Sequence, residues 1–156
     1  MTIHFICKGN AYRSRLAEAY LNSKKIAGVW VISSGIEEQI YRKINGPITW
    51  LAQRILQNNS LTKYMSLLSK QTTQKLLNKS DLSIFMSEKY LEYCKANFSF
   101  GSKNYEVWEI KDIDDYGLTD EDKSRDEELE KIDLSEKTFA EVKKRVNGLI
   151  QRINKK

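Results

Sequence analysis

Short apolar runs alternate with longer amphipathic segments along the chain, and this alternation predicts the order of strands and helices. Runs typical of buried strands occupy residues 3–6, 29–32, 82–86 and 105–110. Apolar residues at helical spacing predict helices over about 13–24, 48–57, 72–78, 88–97 and 136–154. Such alternation is typical of an α/β fold. We therefore predict a single domain over residues 1–156, with a central, mostly parallel, four-stranded twisted sheet flanked by helices on both faces.

Two of the predicted helices carry local start signals. Pro47 suits the first turn of the second helix, because its missing N–H would have no intrahelical partner there. Thr72 or Thr73 could cap the third helix through its hydroxyl group.

A cysteine and an arginine separated by five residues lie between the first predicted strand and the first predicted helix. A loop in this position turns its backbone N–H groups into a concavity that binds a phosphate-sized oxyanion. The same partial charges, with Arg13 nearby, predict that Cys7 is a thiolate at neutral pH, since cysteines so placed have pKa values of roughly 3.5–7.5. A thiolate beneath a bound phosphate is a nucleophile aimed at phosphorus. The segment reads Cys7-Lys8-Gly9-Asn10-Ala11-Tyr12-Arg13-Ser14-Arg15.

Composition narrows the class of protein. The chain is 40% hydrophobic and 30% charged, with one proline, as in ordinary globular proteins. No apolar run approaches the ~20 residues that a membrane-spanning helix needs, and no signal peptide is evident at the start. Two cysteines, Cys7 and Cys94, are too few for a disulfide framework, so we expect a reducing, cytoplasmic setting.

The net charge of +5 is unevenly spread. Residues 114–133 carry a net −7, which leaves +12 on the remainder, and we expect this acidic segment to be loop-like and mobile. The basic remainder could steer an anionic substrate, or it could be an ordinary lysine-rich surface. We expect no nucleic-acid partner, because basic and aromatic residues do not interleave on any one predicted element.

Histidine and metal chemistry receive no support from the sequence. His4 is the only histidine and falls within an apolar strand, so it is predicted to be a core residue. This excludes hydrolases that pair a serine or cysteine nucleophile with a histidine base. No cluster has metal-ligand spacing, so we expect neither a metal nor a cofactor.

The first motif resembles the phosphate-binding loop of the low-molecular-weight protein tyrosine phosphatases. That family's pattern is Cys-x-Gly-Asn-x-x-Arg-Ser, usually followed by Pro and then Met/Leu-Ala-Glu. Arg15 replaces the proline. The matching residues are Cys7, Gly9, Asn10, Arg13, Ser14, Leu16, Ala17 and Glu18.

Other landmarks follow the same family along most of the chain. Residues 33–35 resemble its Ser-Ala-Gly segment, 45–47 resemble a Gly-x-Pro-like segment before a helix, and 80–86 resemble its Ala-Asp strand ending in Met. The segment 108–112 resembles the one that delivers the general acid. There Asp112 is followed by Ile113 instead of the family's proline. We favour Asp112 as the acid and retain Asp114 as the alternative.

The resemblance implies a phosphatase that works through a phosphocysteine intermediate. Cys7 would attack phosphorus, Arg13 would hold two phosphoryl oxygens, and Asp112 would protonate the leaving oxygen and later activate water. Ser14 would hydrogen-bond the thiolate, and Ser33 would brace the side chain of Asn10. The phosphate would be held by the loop residues Lys8, Gly9, Asn10, Ala11, Tyr12, Arg13 and Ser14.

The sequence leaves several interpretations of the function open. A phosphorylated protein, most simply one with phosphotyrosine, or a small phosphoester could be the substrate, and Ala11 does not separate phosphotyrosine from phosphoarginine. A non-catalytic phosphate-binding protein is the alternative from a different class. An arsenate reductase uses the same loop but needs further cysteines, and only Cys94 is available. Tyr41 and Tyr116 could form aromatic walls around a phosphoaryl group.

Overall fold

The computed structural model describes residues 1–101, 104–118 and 125–155. Its sheet has four strands, all parallel, in the order β2-β1-β3-β4. The predicted α/β class and four-stranded sheet are therefore confirmed. The strands are β1 (Thr2–Cys7), β2 (Trp30–Gly35), β3 (Leu82–Phe85) and β4 (Tyr105–Val107).

The strand order reverses at β1, and this reversal creates the place for a site. The chain leaves β1 toward β2 on one side, and it later passes to β3 on the other side. Right-handed crossovers then put α1 and α5 on opposite faces of the sheet. In such sheets ligands bind beyond the carboxyl ends of the strands, where the order reverses. Cys7 is the last residue of β1 and lies at that point.

The helices surround this sheet, and the longest of them supplies much of the core. Helix α6 packs against α1 and α3 through a buried stripe that includes Phe139, Val142, Val146 and Leu149. The helices are α1 (Arg13–Ser23), α2 (Glu38–Asn45), α3 (Trp50–Asn58), α4 (Gln74–Lys79), α5 (Glu88–Asn97) and α6 (Arg125–Ile153). No helix within the described ranges is long and apolar enough to cross a membrane.

Helix α6 corrects the expectation that the acidic segment is a loop. It already includes Arg125, whereas the apolar stripe predicted a start near residue 136. Asp126, Glu127 and Glu128 lie in its first turn as the structure describes it, where carboxylates favour a helix N-terminus. Leu134, two residues before the predicted start, is already buried. Residues 119–124 of the acidic segment lie outside the described residues.

The start of α3 also differs from the prediction. Thr49 caps the helix, because its Oγ1 accepts a hydrogen bond of 3.2 Å from the N–H of Ala52. Pro47 therefore lies before the helix and not in its first turn. The prediction of a cap at Thr73 is confirmed for α4, where Oγ1 accepts from the N–H of Leu76 at 3.3 Å.

Helix α2 has no counterpart in the sequence-based prediction. Its aliphatic residues Ile40 and Ile44 are 60% and 74% exposed, so they form no buried stripe that periodicity could detect. Two residues of this helix, Tyr41 and Asn45, line the cavity described below.

Candidate active site

Cys7 lies at the bottom of the loop that joins β1 to α1. Its side chain is buried, and its Sγ is 2.9 Å from Oγ of Ser14. The backbone N–H of Asn10 donates a hydrogen bond of 3.3 Å to the same sulfur. The sulfur atom therefore lies within hydrogen-bond distance of both a backbone N–H group and a hydroxyl group.

The loop is held in a tight curve by backbone contacts with the chain after β2. The carbonyl of Cys7 accepts from the N–H of Ile36 at 3.1 Å, and that of Lys8 accepts from Glu37 at 2.9 Å. Gly35 must be a glycine, because a Cβ there would lie 2.5 Å from the backbone nitrogen of Asn10. Asn10 itself has a φ of 52°, a left-handed conformation that asparagine tolerates better than most residues.

A buried set of polar side chains fixes Asn10 in that conformation. Its Nδ2 donates to Oγ of Ser14 and to Oγ of Ser33, both at 2.9 Å. Its Oδ1 accepts from the backbone N–H of Lys70 at 2.8 Å. Ser33 in turn donates to Glu18 at 3.0 Å, and both polar atoms of the Asn10 amide group have hydrogen-bond partners. The structure thus brings Asn10, Ser14 and Ser33 together behind the sulfur.

The loop leaves most of its own donors without a partner. Within the described part of the chain, the backbone N–H groups of residues 8, 9 and 11–14 donate no hydrogen bond. Tyr12 is the N-cap of α1, and its carbonyl already accepts from Arg15 and Leu16 at 3.0 Å each. Unpaired N–H groups around a helix N-terminus form the ordinary setting for a phosphate-like anion.

Arg13 is almost fully buried at the start of α1. Its Nη1 donates to the carbonyl of Ile110 at 2.7 Å, and its Nη2 donates to the hydroxyl of Tyr90 at 2.6 Å. Its Nη2 also forms an ion pair with Asp112. Burial acts to lower the pKa of Arg13, but the negative charge of Asp112 and the hydrogen bond to Tyr90 outweigh it, so the pKa is raised and the group stays cationic.

The two candidate acids follow an irregular stretch after β4. Trp108 and Ile110 still bond to the carbonyls of Phe85 and Met86, at 2.9 and 3.0 Å. Glu109 between them has a φ of 47°, so the regular strand ends at Val107 and not at residue 110 as predicted. This stretch delivers Asp112 to the mouth of the loop.

Asp112 and Asp114 both line a cavity of about 60 Å³ that opens above Cys7. Asp112 is bound to Arg13, whereas Asp114 accepts a hydrogen bond of 3.4 Å from the hydroxyl of Tyr41. The N–H of Asp112 is held by Asp115, whose own pKa is lowered: burial opposes the shift, and the bond to Asp112 and the charge of Lys89 outweigh it. Asp112 thus lies beside Arg13, and Asp114 lies beside the ring of Tyr41.

Aromatic and small side chains form the walls of this cavity. Tyr12, Tyr41 and Trp50 line it, together with Ala11. The ring of Tyr41 covers Gly9 so closely that a Cβ on that glycine would lie 2.5 Å from the ring. Tyr116, the second tyrosine considered from the sequence, is not among the lining residues. Lys8 lies at the rim, with its Nζ 5.0 Å from the ring centre of Tyr41.

Arg15 has a role that its position in the motif did not indicate. It is fully buried, pairs with Glu18 at 3.5 Å, and donates to the carbonyls of Ser66 at 2.6 Å and Leu68 at 3.1 Å. Burial lowers its pKa, and the charge of Glu18 acts in the opposite direction. This arginine links the segment before α4 to the back of the loop that joins β1 to α1.

His4 and Cys94 take no part in the site. His4 is buried on β1, where its Nε2 is 2.7 Å from Oγ of Ser34, and burial together with the charge of Lys70 lowers its pKa to about 3. Cys94 is buried in α5, and burial raises its pKa to about 12. A buried thiol of this kind is a poor second cysteine for a reductase relay.

The profile of one known protein family matches nearly the whole chain. Residues 2–156 match the profile of the family described as low molecular weight phosphotyrosine protein phosphatase. The chain belongs to this family. The resemblance drawn from residues 7–18 is therefore confirmed across nearly the whole chain. No curated protein sequence matches the chain significantly.

Solved structures of the family share the fold at low sequence identity. The YwlE arginine phosphatase from Geobacillus stearothermophilus has a TM-score of 0.75 at 16% identity, over 99% of this chain and 93% of that one. A low molecular weight protein tyrosine phosphatase from Bacillus subtilis has a TM-score of 0.74 at 22% identity, over 99% and 98%. The corresponding enzyme from T. tengcongensis gives 0.76 at 18% identity, over 97% and 99%.

Proposed function

We propose that this protein is a cysteine-dependent phosphatase that hydrolyses a phosphomonoester through a phosphocysteine intermediate. The observation that carries the proposal is the cavity above Cys7, which the sulfur shares with Asp112 and which lies against a loop of unpaired N–H groups. The buried Nε of Arg13 also has no partner among the described residues, so a further donor is available to an oxyanion. Nucleophile, anion donors and acid thus meet in one place.

The first step transfers the phosphoryl group to sulfur. The Cys7 thiolate attacks phosphorus, the bond from phosphorus to the leaving oxygen breaks, and Asp112 gives that oxygen its proton. The loop N–H groups and Arg13 stabilise the charge on the phosphoryl oxygens. Asp112 is paired with Arg13 in the structure as a carboxylate, so the incoming phosphate replaces it on the guanidinium with its own oxygens. The released carboxylate takes up a proton from solvent, and it is this proton that it gives to the leaving oxygen.

The second step returns the enzyme to its starting state. Asp112 takes a proton from water, the water oxygen attacks phosphorus, and the sulfur–phosphorus bond breaks to give inorganic phosphate. Ser14, 2.9 Å from the sulfur, donates a hydrogen bond to the leaving thiolate. The side-chain amide of Asn10 donates to Ser14, and the backbone N–H of Asn10 donates to the sulfur. Asn10 therefore keeps both the Ser14 hydroxyl and its own N–H aligned with the sulfur through the cycle.

Hydrolysis of p-nitrophenyl phosphate tests this function directly. We expect turnover that is abolished in Cys7→Ser and reduced roughly 10²- to 10⁴-fold in Asp112→Ala. Cys94→Ser is the matched control, because that buried cysteine does not line the cavity. Phosphate binding without any turnover by the unaltered protein would instead identify a non-catalytic binding protein.

We further propose phosphotyrosine on a protein as the substrate. Tyr41 and Trp50 line the cavity that leads to Cys7, and aromatic rings at 4.5–7 Å favour one another over aliphatic groups. A phosphotyrosine peptide should therefore be hydrolysed with a lower KM than a phosphoserine peptide of the same sequence. Trp50→Ala should make the KM values of the two peptides more similar.

Phosphoarginine is the second candidate substrate, and one observation favours it. Asp114 lines the same cavity as a carboxylate in addition to Asp112, and a guanidinium group pairs well with carboxylates. Matched peptides with phosphotyrosine or phosphoarginine, compared by kcat/KM, decide between the two. Asp114→Asn should selectively weaken hydrolysis of phosphoarginine if that is the substrate, and should leave p-nitrophenyl phosphate little affected.

A further inference from the structure

Tyr90 is a buried residue of α5 that touches the guanidinium group of Arg13. Its side chain is 2% exposed, and its hydroxyl oxygen accepts the hydrogen bond of 2.6 Å from Nη2. The Cζ atom of Arg13 also lies 5.4 Å from the centre of the Tyr90 ring. The tyrosine is 77 positions from Arg13 in sequence, so no local motif joins the two residues.

The hydrogen bonds of Arg13 show which of its donors remain for a substrate. A guanidinium carries five N–H groups in a fixed plane. One of the two Nη1 protons is anchored on the carbonyl of Ile110, and Nη2 donates to Tyr90 and to Asp112. The second Nη1 proton lies on the far side of the group from Nε. Nε has no partner among the described residues. The Nε and Nη2 groups point along the same edge of the guanidinium, which is the edge that grips two oxygens of one anion.

Phosphate binding on that edge would displace Asp112 but not Tyr90. The carboxylate of Asp112 is 23% exposed, so it can move away, whereas Tyr90 is held inside the core. Once Asp112 leaves, the carbonyl of Ile110 and the hydroxyl of Tyr90 are the two contacts that still fix the plane of the guanidinium.

We propose that Tyr90 is a positioning residue: its hydroxyl fixes Nη2 of Arg13 so that Nη2 and Nε together present two N–H groups to the phosphoryl oxygens. This inference rests on the proposed phosphatase function and adds a residue outside the Cys-x5-Arg motif to it. The hydroxyl remains neutral, since burial raises the pKa of Tyr90 more than Arg13 lowers it. It therefore directs the guanidinium without adding a negative charge that would repel the substrate.

Removal of the hydroxyl alone tests this role. In Tyr90→Phe the ring is kept, and we expect calorimetric titration with inorganic phosphate to show about tenfold weaker binding. The kcat/KM for p-nitrophenyl phosphate should fall by a similar factor, with thermal stability close to that of the control. The control is Tyr93→Phe, on the same helix, because the Tyr93 hydroxyl makes no hydrogen bond to any described residue.

A second background separates positioning from general support of the fold. Lysine at position 13 has no planar fork to direct. In Arg13→Lys, phosphate binding should be weaker from the start, and adding Tyr90→Phe should change it less than twofold. An equal tenfold loss in both backgrounds would show that Tyr90 acts on the site in another way, and would overturn the proposal.

Two further outcomes are also decisive. Phosphate affinity in Tyr90→Phe equal to that of the unaltered protein would overturn the positioning role, even with phosphatase activity established. Absence of both phosphate binding and turnover in the unaltered protein would instead refute the proposed function, and this inference with it. If the phenylalanine variant does not fold, Tyr90→Met replaces it, because methionine also lacks the hydroxyl and adapts to the space; the same affinities then decide.

Discussion

Two arginines two residues apart, Arg13 and Arg15, are both buried in the first turn of α1 and have opposite kinds of surroundings. Arg13 contacts a carboxylate that lines the cavity, and it keeps an unpaired Nε among the described residues. Arg15 contacts Glu18 and two backbone carbonyls in the interior, away from the cavity lining. The first set of contacts can exchange with a ligand, and the second cannot without opening the fold.

The difference shows that one short segment carries both a side chain that faces the cavity and a side chain that stabilises the fold. Each residue of a helix is rotated by roughly 100° from the one before it, so the side chains of residues 13 and 15 leave α1 in nearly opposite directions. One side of α1 therefore faces the cavity and the other faces the segment before α4. A proline at position 15, as in the family's usual pattern, could not donate the hydrogen bonds that Arg15 makes to Ser66 and Leu68. Substitutions at the two positions should therefore affect different properties.

The largest expected effect is on activity at Arg13. Arg13→Lys keeps the charge but loses the fork, and kcat/KM for p-nitrophenyl phosphate should fall roughly 10²- to 10³-fold. The free energy of unfolding should change little by comparison. Steady-state kinetics and urea denaturation on the same preparation measure both. A fall in the free energy of unfolding of Arg13→Lys as large as that expected for Arg15→Met would contradict the different roles inferred for the two arginines.

The next largest effect is on stability at Arg15. Arg15→Met leaves the Glu18 carboxylate buried without its cation, and the free energy of unfolding should fall by about 3–5 kcal/mol. The double variant Arg15→Met, Glu18→Gln should lose less than the sum of the single losses, because no charge is then stranded. Additive losses in urea denaturation would contradict the buried pairing.

A pH-dependent effect is expected at His4, on the strand that carries Cys7. Its pKa is about 3 in the folded chain and about 6.5 when unfolded. Between these values the unfolded chain binds a proton that the folded chain does not, so the stabilisation is complete above pH 6.5 and is lost progressively toward pH 3. The slope due to His4 is about 1.4 kcal/mol per pH unit.

The variant His4→Gln isolates this contribution. Carboxylates add the same pH dependence to both proteins, so the difference between their unfolding free energies should change with pH only through residue 4. Urea denaturation at several values from pH 4 to pH 7 measures it. Parallel curves would mean that His4 is protonated in the folded protein.

The smallest expected effect concerns competition at Arg13. Asp112→Asn removes the carboxylate that occupies Nη2, so inorganic phosphate should bind about tenfold more tightly while turnover falls. Glu141→Gln, on the exposed face of α6, is the matched control for loss of one negative charge. Weaker binding by the asparagine variant would show that Asp112 does not compete for the arginine.

The sequence predicted the parts of the site that lie close together along the chain. Residues 7–14 form one turn, so their spacing already implied that sulfur, amide donors and guanidinium converge. Asp112 could be identified as the candidate acid only through the family resemblance. Tyr90 and the contacts of Arg15 depend on how α5 and the segment before α4 pack against α1, and no local pattern encodes such packing.

Exposure also limited what periodicity could predict. Helix α2 was not predicted because its isoleucines face solvent, although Tyr41 on the same helix covers Gly9 of the loop after β1. The N-terminal part of α6 was missed because charge-rich composition resembled a loop, whereas carboxylates at a helix start are favourable. In both places the tertiary surroundings, and not an apolar stripe, define the helix.

The placement of the three tryptophans gives the protein a built-in optical probe. Trp50 lines the cavity and is 45% exposed, whereas Trp108 is shielded in the core and Trp30 stands at the far end of β2 from Cys7. Occupation of the cavity should therefore alter the emission of one indole and leave the other two as an internal reference. Ligand entry can then be followed in real time without attaching a dye.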